Sequence, residues 1–175
     1  MDCPGKDSFD KSFLSRAFCG QASQLDNEKL QAHPFCMGLI YADIELFNLD
    51  DLALVRRGYL SKEKVRSIQV HALVDSGAYQ LCINDNIRKQ LDLSELEPIT
   101  AELADGTLIK LSMVGPVEIR FKNRVTICNA AVLPGDTEVL LGSIPMEDMD
   151  LVLYPQEERM DVNPQTPYMP KMKIK

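Results

Sequence analysis

A carboxylate, a hydroxyl and a glycine stop an apolar run in Ala72-Leu73-Val74-Asp75-Ser76-Gly77-Ala78. A carboxylate placed directly after buried residues is costly unless its charge is hydrogen-bonded or shared. Gly77 lets the chain turn tightly, so that backbone N–H groups approach the Asp75 oxygens, and Ser76 adds a short donor. Such an aspartate is suited to acid–base work, although the tripeptide alone also describes an Asx or Ser turn at a strand end. A second element follows about sixty-five residues on: Glu138-Val139-Leu140-Leu141-Gly142 is again an apolar strand ending in glycine, and Ser143 to Met149 after it reads as a short helix.

With Ala104-Asp105-Gly106-Thr107 between them, these elements resemble the retroviral-type, or retropepsin-like, aspartic proteases, in particular their single-domain, non-viral members. In that family a hydrophobic-hydrophobic-Asp-[Ser/Thr]-Gly-Ala element precedes a flap hairpin, and a hydrophobic-hydrophobic-Gly element then leads into a short helix. The matching residues are Leu73 to Ala78, Ala104 to Thr107 and Leu140-Leu141-Gly142, and the resemblance spans roughly Met37 to Pro155.

It implies an all-β acid-protease barrel with one or two short helices and an active site on a homodimer two-fold axis. Asp75 would be the catalytic residue, supported by Ser76, Gly77 and Ala78. Ser76 would bond across the axis, and the Gly77 amide would steady the carboxylates. Ala104, Asp105, Gly106 and Thr107 would form the flap, with Leu140, Leu141 and Gly142 as the second apolar element. A peptide or protein is the implied substrate, with no cofactor and no metal. One chain supplies one Asp-Ser-Gly, so a two-carboxylate site requires a symmetric pair of chains. Tyr79 stands where several viral members carry an acid, so a network built on that acid is absent or replaced.

The elements that must position these residues follow from local pattern. Ile68, Val70, Ala72 and Val74 alternate with Gln69, His71 and Leu73, the period of a strand with one buried face. Tyr41 to Phe47 alternates in the same way. Between them, Asn48 or Asp50 can cap a short helix that has acids in its first turn, Arg56-Arg57 in its last and Gly58 as its stop. It departs from the shorter viral connection and reads as surface decoration. Ser61 to Lys64 makes a polar turn. Tyr79 to Ile83 returns as a strand, and Asn84 caps a helix over Asp85 to Leu91. Glu97 to Leu111 is the flap hairpin, turning at an Asp-Gly pair. Strands follow at Val114–Phe121 and Val125–Leu133, with turns at Lys122–Arg124 and Pro134–Asp136; Leu151–Tyr154 faces Met160–Val162 across a polar turn. Ile109 and Leu140 are expected among the specificity-pocket residues.

Composition sets the outer bounds. The chain has 175 residues and a net charge of −7, which disfavours a nucleic-acid backbone as partner. No run approaches the roughly 18 apolar residues of a membrane helix. Five cysteines, with no C-x-x-C, do not suggest a zinc site or a disulfide framework. Cys82 and Cys128 read as small buried hydrophobes, and a cytoplasmic location is expected. His71 is expected to face solvent or a polar neighbour. Glu147, Asp148 and Asp150 read as surface acids near a helix N-terminus rather than a metal site.

Residues 1–36 are expected to be a weakly ordered or processed leader, with Met37 a possible true start. Residues 37–162 form the protease domain, and 163–175 an extended tail. Two readings compete for the function. The first is an aspartic endopeptidase in which paired Asp75 carboxylates activate a water. The second is a catalytically inactive dimeric module of the same fold that binds peptides or assembles complexes. A small-molecule hydrolase or metal-binding barrel has little in the sequence to support it.

Overall fold

The alternating residues of Tyr41–Asn48 and Ser67–Val74 form two antiparallel strands, β1 and β2, with Tyr41 opposite Leu73 and Phe47 opposite Ser67. The computed structural model describes residues 39–102, 106 and 108–171, so the expectations for residues 1–36 and for Met37 lie outside the described residues. The remaining strands are β3 (Leu81–Asn84), β4 (Glu95–Glu102), β5 (Leu108–Phe121), β6 (Arg124–Leu133), β7 (Leu140–Leu141), β8 (Leu151–Tyr154) and β9 (Arg159–Val162). Among the described residues there are three short α-helices, α1 (Leu49–Arg56), α2 (Asp85–Leu91) and α3 (Ser143–Asp148), against the one or two expected of the fold.

The sheet runs β1-β2-β7-β3-β6-β5-β4, and a further pairing of β1 with β5 closes six of these strands into a ring. The described residues thus form an all-β barrel with a few short helices, the class that the sequence implied. Strand β5 can serve three neighbours because it is long. Its first half pairs with β4, its second half pairs with β1, and β6 lies along its other side. A register shift between Val114 and Val117, at Gly115-Pro116, separates the halves, so the two strands expected there are one bent strand. Ile44, Leu46, Ala72, Leu81, Ile83, Val114, Val117, Ile119 and Leu141 fill the barrel.

Both predicted helix caps are present. The Asn48 side chain accepts from the Asp50 and Asp51 amides, and the Asn84 side chain accepts from the Ile87 amide at 3.0 Å. Asn48 does more than cap: its Nδ2 donates to the Leu91 and Asp92 carbonyls and ties α1 to the end of α2. Asp51, which reads in the sequence as a first-turn acid, is 3% exposed. Its Oδ2 accepts from the Arg66 Nε at 2.7 Å and from the Arg66 amide at 3.0 Å. The hydrogen bonds from Arg66 hold its carboxyl below the usual carboxylate range against the opposing effect of burial.

Asp51→Ala is therefore expected to cost about 2 kcal/mol in urea unfolding at pH 7, between the values for fully buried and exposed pairs because Arg66 is partly solvated. The depressed folded pKa means the pair stabilises above an unfolded pKa of ~4 and stops doing so as pH falls through the folded value. The stability difference between variant and wild type should then shrink in acid; a gap that stays constant down to about pH 2 would show that this ionisation does not drive it.

Two expectations are corrected at the C-terminal end. The acids Glu147 and Asp148 end α3 rather than begin it, and Asp150 lies beyond it in a left-handed turn. Asp148 accepts from the Thr126 hydroxyl; Asp150 accepts from Asn163 Nδ2, the Thr166 hydroxyl and the Lys171 amide. Nor do residues 163–171 run as a loose extension. They turn back on the domain, where Thr166 O accepts from the guanidinium of Arg124, a residue 1% exposed, and Pro167 O accepts from Asn123. A buried cation with a carbonyl to cover it gives the tail a fixed place.

Candidate active site

Asp75 lies where β2 leaves the barrel. Strands β2 and β7 are parallel, with Val74 beside Leu141, and the ladder continues into the loop as the Asp75 amide donates to Leu141 O at 3.1 Å. The chain then turns on itself. The Gly77 amide donates to Asp75 Oδ1 at 2.8 Å, and the Ala78 amide donates to Asp75 O at 3.2 Å. The glycine thus brings a backbone donor to the carboxylate as its position implied, and Asp75 is half-buried while Ser76 and Gly77 are exposed.

The second apolar element clamps this turn from behind. The Ser143 amide and hydroxyl both donate to Ala78 O, at 2.8 and 3.2 Å, and the Ile144 amide donates to Tyr79 O at 2.9 Å. The first amides of α3, which have no carbonyl partners within the helix, are thereby satisfied by the carbonyls of the Asp75 loop. Gly142 makes this approach possible. A Cβ there would lie 2.4 Å from Gln80 O and 2.7 Å from both Gln80 N and Tyr79 C. Its φ of −80° is open to any residue, so contact rather than backbone conformation requires the glycine.

The structure thus brings together Asp75, Ser76, Gly77, Ala78, Leu140, Leu141 and Gly142. Of the flap, Gly106 has φ +82° at the bend between β4 and β5, whereas Ala104, Asp105 and Thr107 lie outside the described residues. Ile109 and Leu140 are both half-buried. Cys82, one strand over, is half-buried rather than buried; burial and then the charge of Asp75 push its thiol up to about 11. Cys128 is also half-buried, and its thiol is likewise raised to about 11, chiefly by burial.

The exposure of three apolar side chains near the loop was not read from the sequence. Leu39, Tyr79 and Ile144 are 64%, 78% and 48% exposed. They flank the loop: Ile40 O accepts from the Val74 amide, and Ile144 hydrogen-bonds to Tyr79 through the backbone. They lie 40 and 65 residues apart in the sequence, and only the tertiary pairing groups them. His71 is exposed, as expected. Its Nδ1 lies 2.7 Å from Asp43 and its ring stacks on Tyr41 with centroids 4.9 Å apart.

A family model described as aspartyl protease matches residues 63–144. No curated protein shows a significant match. Among solved structures, the EIAV protease complexed with the inhibitor HBY-793 is similar at 13% identity and a TM-score of 0.45, over 70% of this chain and 99% of that one. The matched segment runs from before β2 to the first turn of α3 and so contains the Asp75 turn, the flap and the clamping glycine. Over that segment the chain is similar to the aspartyl proteases.

Proposed function

We propose that the protein is an aspartic endopeptidase, active as a symmetric homodimer with one Asp75 from each subunit at the two-fold axis. The exposed Asp75 turn carries this reading. It presents one half-buried carboxylate and is bordered by the apolar side chains of Leu39, Tyr79 and Ile144, a surface suited to a second copy of itself. Two carboxylates about 3 Å apart do not both ionise, and aspartic proteases are the standing case of such a pair holding one proton.

One Asp75 takes a proton from a bound water as the water oxygen attacks the scissile carbonyl carbon. The partner subunit's Asp75, protonated, donates to the carbonyl oxygen. Collapse of the gem-diol breaks the C–N bond, and the amine leaves with a proton returned from the pair. The substrate is a peptide in extended form, bound by main-chain hydrogen bonds as an added strand, with the β4–β5 hairpin closing over it and excluding water. The reading assigns neither a metal nor a cofactor, and neither a membrane nor a nucleic acid as partner. Its location is the cytoplasm, a placement supported by the free thiols of Cys82 and Cys128.

Sedimentation of the purified protein, beside cleavage of a diverse peptide library from about pH 3 to pH 8, tests the proposal. The expected result is a dimer with a bell-shaped pH profile, falling on one side where the pair loses its proton and on the other where it gains a second. A strict monomer under assay conditions would overturn the shared-carboxylate mechanism. A folded dimer that cleaves nothing would favour the peptide-binding module.

A further inference from the structure

Helix α3 is held on one face and at both ends. Met146 and Met149 are buried in the core, and the Ser143 and Ile144 amides donate to the Ala78 and Tyr79 carbonyls of the Asp75 loop. At the far end Asp148 accepts from the Thr126 hydroxyl, and Asp150, left-handed at φ 53°, stops the helix with an amide that donates to Glu147 O at 3.0 Å. Six residues with a proline among them do not sustain a helix alone, so these ties set where α3 stands.

The tie at Asp150 belongs to the tail. Asn163 Nδ2 donates to Asp150 Oδ1 at 2.8 Å, the Thr166 hydroxyl and the Lys171 amide donate to Oδ2, and the Asn163 amide donates to Asp150 O at 3.1 Å. Residues 163–171 bury little in return: Asn163 and Thr166 are half-buried, and the others, Tyr168 and Met169 included, are exposed. A segment held by polar contacts over so little apolar area opens without unfolding the barrel. Arg124 lowers the cost of opening. Its Nη2 donates to Thr166 O, but its buried Nε and Nη1 find no acceptor among the described residues, so closure keeps from water two donors that water would satisfy.

We infer that residues 163–171 are a strap that positions Asp75 through α3, with Asp150 and Thr166 as positioning residues. Closed, the strap fixes the end of the helix whose first turn clamps the Asp75 loop, about 10 Å away along the helix axis. Open, it loosens that clamp and lowers activity. The effect on activity rests on the peptidase reading of Asp75; the mechanical link from the strap to the loop does not.

The test is hydrogen exchange of the Ser143 and Ile144 amides, followed by NMR in the full chain, beside steady-state peptide cleavage. Thr166→Val removes one donor to Asp150 and should speed exchange of both amides about tenfold, the effect of losing one hydrogen bond to a charged group. The Ile44 and Leu46 amides of β1 should keep their rates. Asp150→Gly should loosen α3 at least as much, although glycine suits the left-handed position better than aspartate does. In both variants kcat should fall several-fold while KM holds, because the carboxylate is displaced and peptide binding is not. Unchanged exchange at Ser143 and Ile144, an equal rise at Ile44 and Leu46, or slower exchange in Asp150→Gly would overturn the inference. So would a wild-type kcat in both variants. A wild-type protein that cleaves no peptide would overturn the peptidase reading alone, and the exchange rates would still decide the strap.

Discussion

Asp75→Asn should lower kcat/KM for peptide cleavage by at least about a thousandfold, since asparagine can neither take a proton from water nor share one with its twin. Folding should barely notice. The Asn oxygen can still accept from the Gly77 amide, which donates to Asp75 Oδ1 at 2.8 Å, and no ion pair is lost among the described residues. The measurement is steady-state cleavage beside urea unfolding, so a fall in activity with unchanged unfolding assigns the loss to chemistry.

Mixing makes the prediction sharper. When equal amounts of wild type and variant are unfolded together and refolded, random pairing leaves about one quarter of the dimers with two aspartates. A site shared between subunits predicts about one quarter of the wild-type activity, whereas a site complete within one chain predicts about one half. The second result would overturn the shared-carboxylate mechanism even if Asp75→Asn were inactive by itself.

Gly142→Ala is the second large effect. One methyl group there would meet Gln80 O at 2.4 Å and Gln80 N and Tyr79 C at 2.7 Å, and all three are backbone atoms that no rotamer change can move aside. The strand end must shift, and with it the hydrogen bonds from Ser143 and Ile144 that hold the Asp75 turn. We expect a loss of about 3 kcal/mol in urea unfolding, the upper part of the usual range for overpacking, with activity falling further than stability does. Gly77→Ala is the natural control. Its Cβ would lie 3.1 Å from Asp75 Oδ1, a side-chain atom that can give slightly, so stability should change far less. Equal stability losses in the two variants would mean that the close crossing at Gly142 is not what requires glycine.

Much of this was legible in the sequence because it is local. Strand period, helix caps and glycine stops act over a few residues, and β2, α1 with its Asn48 cap and α2 with its Asn84 cap lie close to where those patterns put them. The two apolar-glycine elements were legible as motifs, and the parallel pairing of β2 with β7 that sets them side by side came only with the fold. The acids around the end of α3 were misplaced: they read as acids near a helix N-terminus, yet Glu147 and Asp148 close the helix and Asp150 turns left-handed to hold the tail.

What the sequence by itself determined is the kind of strands and turns present and the identity of the carboxylate they deliver. Tertiary structure alone decided which distant residues share a place: Asp51 with Arg66, Arg124 with Thr166, and Leu39 with Tyr79 and Ile144 around the Asp75 turn. The physical reason is that a buried charge or an exposed apolar side chain acquires its meaning from what packs against it. That neighbour is set by barrel closure, through pairings such as β1 with β5 that join segments some seventy residues apart.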